Sequence, residues 1–146
     1  MEDPYDLQRF VEAQDPVYAR VCDELRAGRK RSHWMWFVFP QMQGLGQSPM
    51  AQRYAIGSLA EAHAYLEHPV LGERLRACTQ LVNSIEGRPV TQIFGAPDDL
   101  KFHSSMTLFS CAAADGEPFR TALRKYFDGA PDTQTLARLP QATRLP

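Results

Sequence analysis

The chain has 146 residues, of which 44% are hydrophobic and 23% charged, with a formal net charge of -1. That length suits one ordinary domain able to bury well over half of its unfolded surface, and the composition excludes a disordered chain. A near-neutral balance excludes global attraction to nucleic acid or an anionic membrane, so any such contact has to be a local patch.

In chain order, Asp3-Pro4 reads as a helix start, followed by Leu7, Phe10 and Val11 on one face. Asp15-Pro16 repeats the signal, and Val17, Val21 and Leu25 recur at helical spacing until Gly28 supplies a stop. Then comes RKRSHWMWFVFPQ, residues 29–41, on which the fold is expected to be organised. Ser32 predicts an N-cap for a short helix from His33, and Pro40 ends it near Phe39. Trp34 to Phe39 leaves no polar face, so the helix belongs in a core and is far too short to span a bilayer. A central strand is the alternative, since short apolar runs are ambiguous by periodicity.

Two glycines mark residues 41–48 as a loop, and Ser48-Pro49 opens another short helix. Ser58 and Glu61 form a capping box before Leu59, Ala62, Tyr65 and Leu66. His68-Pro69 breaks that helix. The next runs from about Val70 to Ile85, with Leu71, Leu75, Cys78, Val82 and Ile85 inward. Pro97 opens a helix through about Ala113, with Asp98 and Asp99 in its first turn. A further helix carries Phe119, Leu123, Tyr126 and Phe127 and stops at Gly129, and Asp132 caps a last short one. Start signals this dense, with almost no alternating strand pattern, predict an all-α single compact domain of short to medium helices. They are expected to pack orthogonally around the buried aromatic helix over residues 1–139, with a frayed tail from Pro140.

GRKRSHWMWFVFPQMQGLG, AYLEHPVLGERL, IFGAPDDLKFHSSMTLF and KYFDG together cover nearly the whole chain. They resemble a bacterial family catalogued as a domain of unknown function, some of whose members carry a transferred "calpastatin" label. The resemblance implies a mainly α-helical, single-domain bacterial protein and brings no activity to carry over. The label implies a protease inhibitor, but calpastatin's long disordered repeats have no counterpart here.

Two constellations can carry chemistry. Arg26, Arg29, Lys30 and Arg31 lead into Ser32 and His33, where a helix start with adjacent cations suits an anion. Trp34 and Trp36 can stack a base or fill the core, and Gln41 opens a polar loop able to lie over a pocket. In PDDLKFHSSMT, residues 97–107, Asp98, Lys101 and Ser105 share one helical face, and Asp99 stands four residues before His103. A desolvated Lys101 can serve as base to Ser105, so Lys101, His103, Ser105 and His33 are the catalytic candidates. Arg29, Lys30, Ser32, His33, Trp34 and Gln41 are the candidate ligand-binding set.

His33, His63, His68 and His103 form no i,i+4 pair and no two cysteines are close, so no metal site is read and no cofactor is implied. Cys22, Cys78 and Cys111 sit in apolar helical patterns and read as buried free thiols. With no transmembrane or signal segment, the expected location is cytoplasmic.

The functional expectation is a protein that binds, and in its fuller form also processes, a small anionic, phosphate-bearing, nucleotide-like metabolite, the two motifs sharing a cleft. The alternative is a non-enzymatic module docking nucleic acid or an acidic protein partner through residues 26–31. Oligomeric state is not legible. On this reading Trp36→Ala costs about 3–5 kcal/mol if the ring is fully buried, and Lys30→Ala less than about 0.5 kcal/mol.

Overall fold

A computed structural model describes residues 2–139; the expected frayed tail lies outside the described residues. The chain forms α1 (Gln8–Gln14), α2 (Tyr18–Arg26), α3 (Met35–Val38), α4 (Pro49–Arg53), α5 (Leu59–Glu67), α6 (Leu71–Asn83), α7 (Val90–Phe94), α8 (Asp98–Ala112), α9 (Phe119–Phe127) and α10 (Thr133–Arg138). The fold is all-α, and the strand alternative for residues 34–39 is not taken. The described residues contain one isolated parallel bridge, Met42 to Ile56, which draws the ends of the 43–55 segment together.

Side-chain caps explain several helix starts. Ser48 accepts from the Ala51 amide, Ser58 from Glu61 and Asp132 from Thr135, each satisfying an amide that the first turn leaves free. The capping-box partner Glu61 reaches back to the Gly57 amide at 3.0 Å. Asp3 accepts from Leu7 and Gln8, so its start signal acts one turn later than expected. The Asp15 signal fails: α2 begins at Tyr18 with no side-chain cap, and Asp15 pairs with Arg74 instead. Gly28, at φ +77°, ends the chain's run through α2 by the left-handed turn that suits glycine.

The aromatic run is shorter as a helix than expected, Met35–Val38, and its N-cap residue is Trp34, whose side chain caps none of the first-turn amides. Trp34, Met35, Phe37, Val38 and Phe39 are buried, whereas Trp36 is only partly so. The central element is α8. Ser104 to Phe109 are six consecutive buried residues, so this helix has no solvent face along its middle. It packs against α5, α7, α9 and α10. Phe102 receives Phe39 edge-on at 5.1 Å and stacks with Phe94 at 4.7 Å, which joins the aromatic run to α8 through ring contacts. Helix α6 crosses α5 closely because Gly72 faces the Leu66 carbonyl, where a side chain has no room. Cys22 and Cys78 are buried free thiols, but Cys111 is exposed, because it lies on the outer edge of the last turn of α8.

Candidate functional site

The Ser32 end of the basic tract is turned onto one of the protein's own carboxylates. The turn at Gly28 carries residues 29–34 back across the end of α2, where the Lys30 amide donates to the Ile93 carbonyl at 2.7 Å. That path brings Glu24 beneath the loop. One Glu24 carboxylate oxygen accepts from the amides of Arg31 (2.8 Å) and Ser32 (3.1 Å) and from the Trp34 indole (2.9 Å). The other accepts the Ser32 hydroxyl at 2.6 Å. Burial opposes ionisation of this carboxyl and is the largest single influence on it. The bonds from Ser32, Arg31 and Trp34 together outweigh it and hold the group at about 2. Ser32 is therefore not a helix cap, and the donors expected to meet a ligand are taken by the protein's own carboxylate. Trp34, 1% exposed and bonded to Glu24, is no stacking platform. His33 is exposed and makes no hydrogen bond or ion pair among the described residues.

The two motifs do meet, through charge. Lys30 donates to one oxygen of Asp98 at 2.8 Å, and its side chain is only 8% exposed. Lys101 lies 3.7 Å from the other oxygen. Lys30 also stands over the Trp34 ring at 5.2 Å and Lys101 over the Trp36 ring at 5.4 Å. Two cations thus share one carboxylate between two indoles. Lys30 is thus a structural partner of Asp98, which the small stability cost expected of Lys30→Ala did not foresee.

Of the catalytic candidates, Lys101 and His103 are engaged elsewhere rather than with one another. Among the described residues no hydrogen bond or ion pair joins Ser32 or His33 to Lys101 or Ser105. Ser105 is wholly buried and its hydroxyl has no partner. His103 stacks on Phe127 at 4.0 Å and bonds the Ala130 carbonyl at 2.8 Å, so Asp99 does not orient it. Next to it Ser104 donates to Asp132 at 2.8 Å. The Thr135 hydroxyl also donates to that carboxylate, at 2.6 Å.

Two cavities flank the Lys30–Asp98–Lys101 cluster. One, of about 400 Å³, is lined by Arg29, Lys30, Arg88, Thr91, Gln92 and the Ile93–Gly95 turn. Arg29 and Arg88 are exposed, and their guanidinium groups have no hydrogen-bond or ion-pair partner among the described residues. The other, of about 330 Å³, lies between the Gln41–Gly46 loop, the start of α8 and α10, and includes Lys101 and His103. Sequence reasoning named Arg29 and Lys30 for the first and Gln41, Lys101 and His103 for the second, but divided them differently. It missed Arg88, whose only signal was a lone cation in the Gly87–Pro89 turn. Among the described residues no helix is long and apolar enough to cross a membrane.

No curated protein matches the chain. Among solved structures it is similar to the conserved hypothetical protein Rv1873 from Mycobacterium tuberculosis. The two are 60% identical over 94% of this chain and 98% of that one, with a TM-score of 0.93. A family model described as "Protein of unknown function (DUF1810)" matches residues 4–139, and the chain belongs to that family.

Proposed function

We propose that the protein binds a small phosphate-bearing metabolite, its phosphoryl group seated between Arg29 and Arg88. The observation that carries this reading is the pair of guanidinium groups, both without a carboxylate partner, lining one polar cavity. Guanidinium forks match phosphate oxygens bidentately, and Thr91 and Gln92 add neutral donors. Lys30 lines the same cavity and supplies further positive potential although Asp98 holds it. A nucleotide base has no platform on the buried Trp34, so the phosphoryl group is the recognised part.

Calorimetric titration with inorganic phosphate and with a phosphate monoester tests this. Binding is expected at millimolar or tighter dissociation constants. Arg88→Ala should weaken it about tenfold, or about 1.4 kcal/mol, while changing stability by less than about 0.5 kcal/mol, as for other exposed positions. Absence of binding, or full binding by Arg88→Ala, overturns the proposal. Retention of duplex DNA that falls steeply with salt and needs Arg29 and Arg88 would assign them to nucleic-acid docking instead.

A further inference from the structure

The 97–107 motif is only partly used by the ion pair to Lys30, and a second cavity opens beside it. We propose that the cleft between the Gln41–Gly46 loop, the first turns of α8 and the start of α10 binds a small monocarboxylate with an apolar body.

The apolar half of the argument is Leu100. It is 63% exposed, the one large hydrophobic residue so exposed among the described residues, and it lines this cleft together with Leu45. The space, about 330 Å³, falls at the lower end of the usual size for small-molecule sites.

The charge class follows from which groups have bonding capacity left. Asp132 takes the Ser104 hydroxyl and the Thr135 hydroxyl and amide on one oxygen. His103 is held by Phe127 and the Ala130 carbonyl. Lys101 differs: its nearest carboxylate oxygen is 3.7 Å away, beyond hydrogen-bond length, because Asp98 is drawn to Lys30 at 2.8 Å. Its ammonium keeps donors to give. The side-chain amides of Gln41 and Gln134 in the same cleft have no hydrogen-bond partner among the described residues and can bond the second carboxylate oxygen. One cation beside the Asp98 carboxylate, in a cleft that Asp132 also lines, suits a single negative charge and disfavours a phosphate dianion. That separates this cleft from the two-guanidinium cavity on the other side of Lys30.

Heteronuclear NMR titration with isocaproate, using isocaproamide as the neutral control, reads the site directly. Isocaproate should shift the amides of Leu45, Leu100 and Lys101 saturably, and isocaproamide should bind about tenfold more weakly. Lys101→Met and Leu100→Ser should each weaken isocaproate by a similar factor, and Lys101→Arg, which keeps the charge, should retain it. Spectra of the variants that remain dispersed outside the cleft establish that they fold. Phosphate shifts at Arg29 and Arg88 should be unchanged by Leu100→Ser, so failure of one site is distinguishable from failure of the other. No saturable shift at the cleft, equal binding of acid and amide, or full binding by Lys101→Met would each overturn the proposal. Displacement of isocaproate from the cleft by inorganic phosphate would overturn the assignment to a monocarboxylate.

Discussion

Glu24→Gln removes a charge and leaves a side chain of nearly the same shape. In the folded protein this carboxyl sits at about 2 against an ordinary 4.5. The gap corresponds to about 3 kcal/mol of stability in favour of the ionised, folded form. Because the folded value is the lower one, the contribution is complete above the ordinary carboxyl range and is lost as pH falls toward 2. A glutamine amide brings two N–H donors into a pocket already holding the donors of Arg31, Ser32 and Trp34. Glu24→Gln should therefore lower the unfolding free energy by about 3 kcal/mol at neutral pH, a large part of a typical total of ~5–15 kcal/mol. Urea denaturation of both proteins at about pH 7 and about pH 3 measures the difference, which cancels the titration of the other carboxylates. The gap should shrink by more than half at the lower pH. A gap of the same size at both values, or one below about 0.5 kcal/mol at neutral pH, would refute the view that this carboxylate anchors the loop as an anion.

Lys30→Ala leaves Asp98 partly buried with only the more distant Lys101, and should cost about 2–3 kcal/mol in urea melts rather than the small amount expected of an exposed basic residue. Adding Asp98→Asn should recover part of that loss, since it removes the stranded charge. Gly72→Ala places its Cβ within 2.8 Å of the Leu66 carbonyl carbon and closer still to the oxygen. Helix propensity alone favours alanine by about 1 kcal/mol, yet the clash with backbone should make the variant less stable by about 1–3 kcal/mol. A melt at or above the parent's temperature would show that α5 and α6 separate freely.

What the sequence revealed and what it concealed divide by distance along the chain. Ser48, Ser58 and Asp132 cap as read, because a cap and the amide it serves lie within three residues. Ser32 carries the same local signal, and a carboxylate eight residues earlier captures its hydroxyl. Lys30 and Asp98 are separated by 68 positions, so nothing local marks either as a structural pair. Cys111 follows the apolar pattern of α8 yet lies on its outer edge, because that pattern is nearly continuous and gives no direction outward. The two motifs were recognisable as chemical, but their division between two cavities depends on the Gly28 turn laying the loop over Glu24, which no spacing rule encodes.

The enclosure of α8 has a consequence for how the molecule opens. A helix with a wet face can loosen at one edge while its neighbours stay in place; α8, with six successive residues covered by α5, α7, α9 and α10 and the aromatic run, has no such edge along its middle. Its central amides are released to solvent only when the neighbouring helices part from it, so their hydrogen exchange tracks global unfolding rather than a local event. Both cavities border the start of this helix, through Lys30–Asp98 on one side and Lys101 on the other. A ligand that binds the folded state in either cavity slows exchange across the buried spine of α8 as well as at its own contacts.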